Sequence, residues 1–210
     1  MEKIMNDKKE NQLDNNESST KRVLHRVAKR RQRVRNKILE IATKRFAIEG
    51  PDNVKLEGIA DEADISRATL YSHFASKDEI IYEIIKPVLE EIIQKYEMII
   101  KDLDKLSTGE IFDELSDFYI HLWENYELAL LLAQKILEKK PYNLLPLYDR
   151  MLELKRKILQ KFEKEKKLKF PIDNTYDIIL STLVPLLKNI APLQNGKKLF
   201  KSTLKNMLFH

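Results

Sequence analysis

The stretch DEADISRATLYSHFASKDEI, Asp61 to Ile80, decides how the rest of the chain is read. Leu70 and Phe74 stand four residues apart, so on a helix they share one face and turn inward together. Ser66 precedes them in the position of an N-cap, where a side-chain oxygen can accept an otherwise orphaned backbone N–H. Ser76-Lys77-Asp78-Glu79 has the spacing of a capping box and opens a further helix rich in Ile and Glu. Upstream, Leu56, Ile59, Ala60 and Ala63 trace an i, i+3, i+4, i+7 stripe, which Asp64 and Ile65 interrupt. Two short helices joined by a turn of about three residues make a helix-turn-helix. A preceding helix, from about Val34 to Glu49, carries Val34, Ile38, Ile41, Ala42 and Phe46 on one face and is stopped by Gly50-Pro51. Ile59, Ala60, Ile65, Leu70 and Phe74 would hold the pair against it.

That packing leaves Arg67, Ala68, Thr69, Tyr71, Ser72 and His73 pointing away from the core. The residue types suit the DNA major groove. Arg pairs with guanine edges, and Ala or the Thr methyl touches a thymine methyl. Ser, Thr, Tyr and His donate to phosphate oxygens, which sets register and not sequence. A small polar helix of this kind stays on the surface because its partner is a nucleic acid.

Composition narrows the rest. The chain has 210 residues, enough for one large or two small cores, with only 4 Gly. It has no cysteine, which removes disulfides, thiolate metal sites and a Cys nucleophile. The apolar run Leu128–Ala133 is too short to span a bilayer, and the polar start MEKIMNDKKENQLDNNESST lacks a signal core, so a cytoplasmic protein without membrane contact is expected. Lys21 to Lys37 contains basic residues and no acidic one: a polyanion-binding arm or a solvated tail. Residues 1–33 read as a disordered polar tail and basic arm, 34–80 as the helix-turn-helix domain and 81–210 as a larger helical domain. The fold class is therefore all-α, with about nine helices. In the larger domain the fourth helix runs to about Leu103 with Pro87 inside it. A fifth is capped by Ser107-Thr108-Gly109-Glu110, a sixth covers Glu127 to Leu137, and a long seventh follows Pro146. Asp173 or Asn174 caps an eighth, and Asn195-Gly196 precedes the last.

The pattern Phe46…Gly50…Ile59-Ala60…Ala63-Asp64-Ile65-Ser66…Thr69-Leu70-Tyr71-Ser72-His73-Phe74…Ser76-Lys77 closely resembles the DNA-binding domain of the TetR family of transcriptional regulators. The resemblance covers roughly Val34 to Ile84. It implies a homodimer on a near-palindromic operator, a helical effector-binding domain, and repression released by a small molecule. On it Arg67, Ala68, Thr69 and Ser72 are the base readers, with Ser66 opening their helix. Tyr71, His73 and Lys77 are phosphate contacts, and Lys55 is a further one. Two positions depart from the pattern: Asp64 replaces the turn glycine, and Lys55 replaces a Thr or Ser cap. The eighth and ninth helices are the dimer surface by the same analogy, with completion of the monomer core by Ile178, Leu183, Leu186, Leu187 and Leu199 an equal alternative.

In the larger domain Phe118, His121, Leu122, Trp123 and Tyr142 are candidates to line an apolar effector pocket, though apolar residues at helical spacing are more often plain core. A lipophilic effector is expected, and no cofactor or metal. The alternative is a DNA-bound protein whose second domain holds a protein partner. No Gly-rich phosphate loop, zinc-binding His-x-x-x-His helix or nucleophile elbow is present, which disfavours an enzyme.

Overall fold

The computed structural model describes the backbone of residues 2–137 and 144–210 and the side chains of residues 22–136 and 144–210. These residues form eight helices: α1 (Glu2–Glu49), α2 (Leu56–Glu62), α3 (Arg67–His73), α4 (Lys77–Lys101), α5 (Thr108–Leu137), α6 (Leu145–Lys164), α7 (Ile172–Ile190) and α8 (Gly196–Leu208). An isolated antiparallel bridge, Leu168 to Phe209, is the sole extended pairing among the described residues.

The chain divides into two compact units, residues 1–42 with 55–75, and residues 43–54 with 76–210. Unit 1 is the three-helix arrangement expected from the Asp61–Ile80 stretch. Its core is Ile38, Ala42, Leu56, Ile59, Ala60, Ala63, Leu70 and Phe74, all buried. Ser66 caps α3 by accepting the Thr69 N–H at 3.0 Å.

The turn between α2 and α3 explains how Asp64 replaces glycine. The Ile65 N–H reaches the Ala60 carbonyl at 3.0 Å and the Asp64 N–H reaches Asp61 at 3.1 Å, the paired bonds of a Schellman ending. That ending needs a left-handed residue, and Asp64 supplies it at φ 56°. Asp adopts this region at some cost, which glycine avoids. Asp64→Gly is therefore expected to raise unfolding stability by about 0.5–1 kcal/mol, seen as a rise of about 1–4 °C in Tm. An unchanged or lowered midpoint would show that the aspartate side chain compensates for the strain.

Several expectations need correction. The tail and arm, residues 1–33, read as disordered, whereas α1 begins at Glu2 and not near Val34. No glycine or proline occurs before Gly50, so nothing in the sequence interrupts a Lys-, Arg-, Glu- and Leu-rich helix there. The expected fifth and sixth helices are one element, α5, with a kink at Tyr126 (φ −135°, ψ 28°), so eight helices replace nine among the described residues. Neither Asp173 nor Asn174 caps α7, which starts one residue after Pro171. The Asn53 amide donates to Glu49 O at 2.8 Å and closes the end of α1.

In unit 2, α4 lies against α6 and α5, and α7 packs on α8, α5 and α6. The buried stripe of α6, Tyr148, Met151, Leu154, Ile158, Leu159 and Phe162, recurs every three or four residues and faces this centre. No helix among the described residues is long and apolar enough to cross a membrane.

Candidate functional site

The seven residues of α3 present two faces. Leu70 is buried with Phe74, whereas Arg67, Ala68, Tyr71 and Ser72 are exposed together. Their i, i+1, i+4, i+5 spacing places all four on one stripe. Tyr71 is 49 % exposed, a large aromatic side chain kept on the outside. The Arg67 guanidinium is 69 % exposed, and its one ion pair, to Glu57, spans 4.0 Å. Contacts of that length at a surface add little, so the head is available to another partner. Thr69 and His73 flank the stripe, partly covered.

Hydroxyl groups stiffen the start of the helix. Ser66 Oγ and Thr69 Oγ1 lie 2.8 Å apart, and Ser72 Oγ donates to Thr69 O at 2.7 Å. Lys55 precedes α2 in extended geometry, exposed and with no side-chain cap bond. Lys77 behaves differently from a free phosphate ligand, because its ammonium donates to Pro51 O at 2.7 Å within unit 2.

Part of the basic arm has a use that sequence reasoning missed. Arg31 donates to Ser72 O at 3.2 Å, Arg35 to His73 O at 2.7 Å, and Lys37 to Ala63 O at 2.7 Å. Each ties α1 to the C-terminal carbonyls of α2 or α3, where cations are favoured by the helix dipole. The Arg35 guanidinium also lies 4.1 Å from the centre of the Phe74 ring. Arg31 and Arg35 tie α3 to α1 and Lys37 ties down the end of α2; Arg22, Arg26, Lys29, Arg30 and Arg33 are exposed on the same helix. A signal was present in the order of the residues: Arg31 and Arg35 stand one turn apart and in step with Ile38. Burial, then the charges of Arg31 and Arg35, push the His73 imidazole below its ordinary value. The shift favours the neutral ring, which donates a hydrogen bond without acting as a cation.

Unit 2 contains two adjoining apolar cavities, of about 50 Å³ and about 100 Å³. Tyr96, Tyr119, Lys155, Ile179 and Leu183 line both. The first extends toward Phe112, Ser116 and Phe209, the second toward Ile85, Met151 and Tyr176. The candidates chosen from sequence are not among the linings. Leu122 and Trp123 are buried elsewhere in the core, Phe118 sits under Lys95 at 5.9 Å, and His121 is exposed, 3.3 Å from Glu91. Tyr142 lies outside the described residues. Helical spacing identified an inward face on α5, but the α5 residues that line the cavities are Phe112, Leu115, Ser116 and Tyr119 for the first and Tyr119, Leu130, Ala133 and Gln134 for the second. Among the described residues no group of three or more His, Asp or Glu could hold a metal ion.

Comparison with known proteins agrees with this geometry. The family model described as bacterial regulatory proteins, tetR family, matches residues 38–84, which span α2, α3 and the segments beside them. The chain is similar to the HTH-type transcriptional repressor KstR2 of Mycobacterium tuberculosis, 31% identical over 104 residues, 50% of each chain. It is also similar to an HTH-type transcriptional regulator of Staphylococcus aureus, SAR2658, 38% identical over 96 residues, 46% of this chain and 51% of the relative. The chain thus spans about half the length of the curated relatives it matches. Its fold is similar to a solved structure of the ketosteroid transcriptional regulator KstR2 of M. tuberculosis, with TM-score 0.68 and 20% identity over 84% of this chain and 95% of that one. The exposed stripe of α3 thus falls inside the segment, residues 38–84, that matches the model of bacterial regulatory proteins, tetR family.

Proposed function

We propose that the protein is a sequence-specific DNA-binding transcriptional repressor, active as a homodimer and released from DNA by a small lipophilic effector. The single observation that carries this reading is the outward stripe Arg67, Ala68, Tyr71 and Ser72 on a helix held from behind by Arg31 and Arg35. The rigid support matters because base reading requires side chains fixed to within fractions of an ångström. In the complex α3 would enter the major groove, with Arg67, Ala68, Thr69 and Ser72 at base edges. Tyr71, neutral His73 and Lys55 would donate to phosphates. Lys77 would join them only by leaving the Pro51 carbonyl. Two copies would read half-sites one turn of DNA apart, roughly 34–36 Å, on a near-palindrome.

Effector release follows from population shift: a ligand that binds better to the conformation unfit for DNA lowers the occupancy of the operator. The apolar walls of the unit 2 cavities suit a small lipophilic ligand. The names of the similar proteins, a repressor and a ketosteroid regulator, point the same way.

Selection from a random duplex library tests the reading. The expected outcome is enrichment of an inverted repeat, bound by two chains. Recovery of sequences with no common motif would overturn sequence-specific recognition; a single half-site bound by one chain would overturn the dimer.

A further inference from the structure

The stripe of α6 that faces the centre of unit 2 runs Tyr148, Met151, Lys155, Ile158, Phe162. Four of these are buried aromatic or apolar side chains at intervals of three and four. The remaining position, inside the same register, is a lysine. Lys155 lines both cavities, and its Nζ lies 4.6 Å from the centre of the Tyr176 ring. Among the described residues no carboxylate lines either cavity. The acidic neighbour on its own helix, Glu153, is held by Arg150 and Lys157 at the surface. Among the described residues the titratable groups that line the cavities with Lys155 are phenols: Tyr96 on α4, Tyr119 on α5 and Tyr176 on α7. Tyr96 and Tyr119 hydrogen-bond each other, and Tyr176 is engaged with Tyr148 at 3.0 Å.

A second polar group shares the site. Ser116 lines the first cavity, is 1 % exposed, and its Oγ has no hydrogen-bond partner among the described residues. A buried hydroxyl without a partner and a half-buried amine with no carboxylate beside it among the described residues each cost free energy in an otherwise apolar wall. Natural interiors keep such groups where a ligand completes them.

We propose that these adjoining cavities take a slender amphiphile bearing one carboxylate, whose anionic head pairs with the Lys155 ammonium and accepts from the Ser116 hydroxyl while its alkyl body fills the apolar walls. This rests on the small-ligand reading of unit 2 and specifies its chemistry. The narrow volumes select a flexible chain: even the larger cavity, at about 100 Å³, accommodates a bulky fused-ring body only if the helices part. Burial pushes the Lys155 amine down to about 7, so the free protein holds it close to half protonated at neutral pH. A bound carboxylate favours the ammonium and raises that value, so binding takes up protons. Affinity for the acid is then strongest below pH 7 and falls as pH rises through 7 and on toward 9.

Calorimetric titration of the full chain with octanoate and with 1-octanol provides the test, repeated on Lys155→Met. Methionine keeps the length and removes the charge, which suits an apolar wall, so the variant folds. Octanoate is expected to bind the wild type at least ~10-fold more tightly than octanol near pH 6.5, the scale of one charge-assisted hydrogen bond. That preference should shrink toward pH 9 and vanish in Lys155→Met, with octanol affinity equal or better. Equal binding of acid and alcohol by the wild type, or a preference that survives in Lys155→Met, overturns the carboxylate assignment and leaves a small apolar ligand standing. Failure to bind either probe overturns both.

Discussion

The Phe74→Ala variant will lose about 3–5 kcal/mol of folding stability, the range for truncating a buried aromatic residue. The ring is 0 % exposed, and the core of unit 1 is otherwise built of small or medium aliphatic side chains. Such a core has little material with which to refill the space, so a large part of the cavity penalty is retained. Two further losses attach to the same ring. The Arg35 guanidinium 4.1 Å from its centre would lose its aromatic partner, a contact of about 0.5–2 kcal/mol. Phe74 also closes α3, its N–H bonded to Leu70 O, so the end of the helix loosens as its side-chain anchor goes. Hydrogen exchange resolves where the damage lies: amides of α2 and α3 are expected to lose protection by several orders of magnitude, and those of α6 in unit 2 to keep theirs. Undiminished protection across Leu70–Phe74 would show that the ring is not what anchors α3.

The difference between what could and could not be read from the sequence has a physical basis. Leu70 and Phe74, the Ser66 cap and the Asp64 turn were legible because each is a local relation, fixed by spacing within one or two turns of chain. Gly50 is of the same kind: its φ of 84° and its bond to Phe46 O form the helix ending expected of Gly-Pro. The roles of Arg31, Arg35 and Lys37 were not legible, because their acceptors are backbone carbonyls 26 to 41 residues away, and a carbonyl has no signature in sequence. Charge density alone then suggests a solvated tail or a phosphate ligand. The cavity was missed for a different reason. Phe118, His121 and Trp123 were chosen for size and polarity on one helix, whereas a cavity is a property of five helices and forms where their side chains fail to meet. Lys155 did leave a trace, as the one charged residue in the register Tyr148, Met151, Ile158, Phe162.

The largest functional loss is expected from Arg67→Ala combined with Tyr71→Ala: on the operator recovered by selection, about 10²–10³-fold weaker binding at fixed salt. A base-reading arginine and an aromatic phosphate contact each contribute on the order of 1–3 kcal/mol. The two side chains stand one turn apart on the exposed stripe, so their losses need not add in full. Their single variants should differ in kind. Arg67→Ala should relax preference at one base position, while Tyr71→Ala should weaken all sequences alike, since phosphate contacts carry no sequence information. Both should leave thermal stability nearly unchanged, because both side chains are exposed and make no core contact. The basic arm provides the internal comparison. Arg30 and Arg33 are exposed, so if they meet phosphates each alanine variant should reduce the salt dependence of binding by about one counterion. Arg35 is engaged with His73 O and the Phe74 ring, so Arg35→Met should weaken binding by displacing α3, with lowered stability and little change in the salt slope. Operator affinity that survives the Arg67 and Tyr71 double variant would mean that the outward face of α3 is not the reading surface, and that DNA contact, if any, comes from the arm alone.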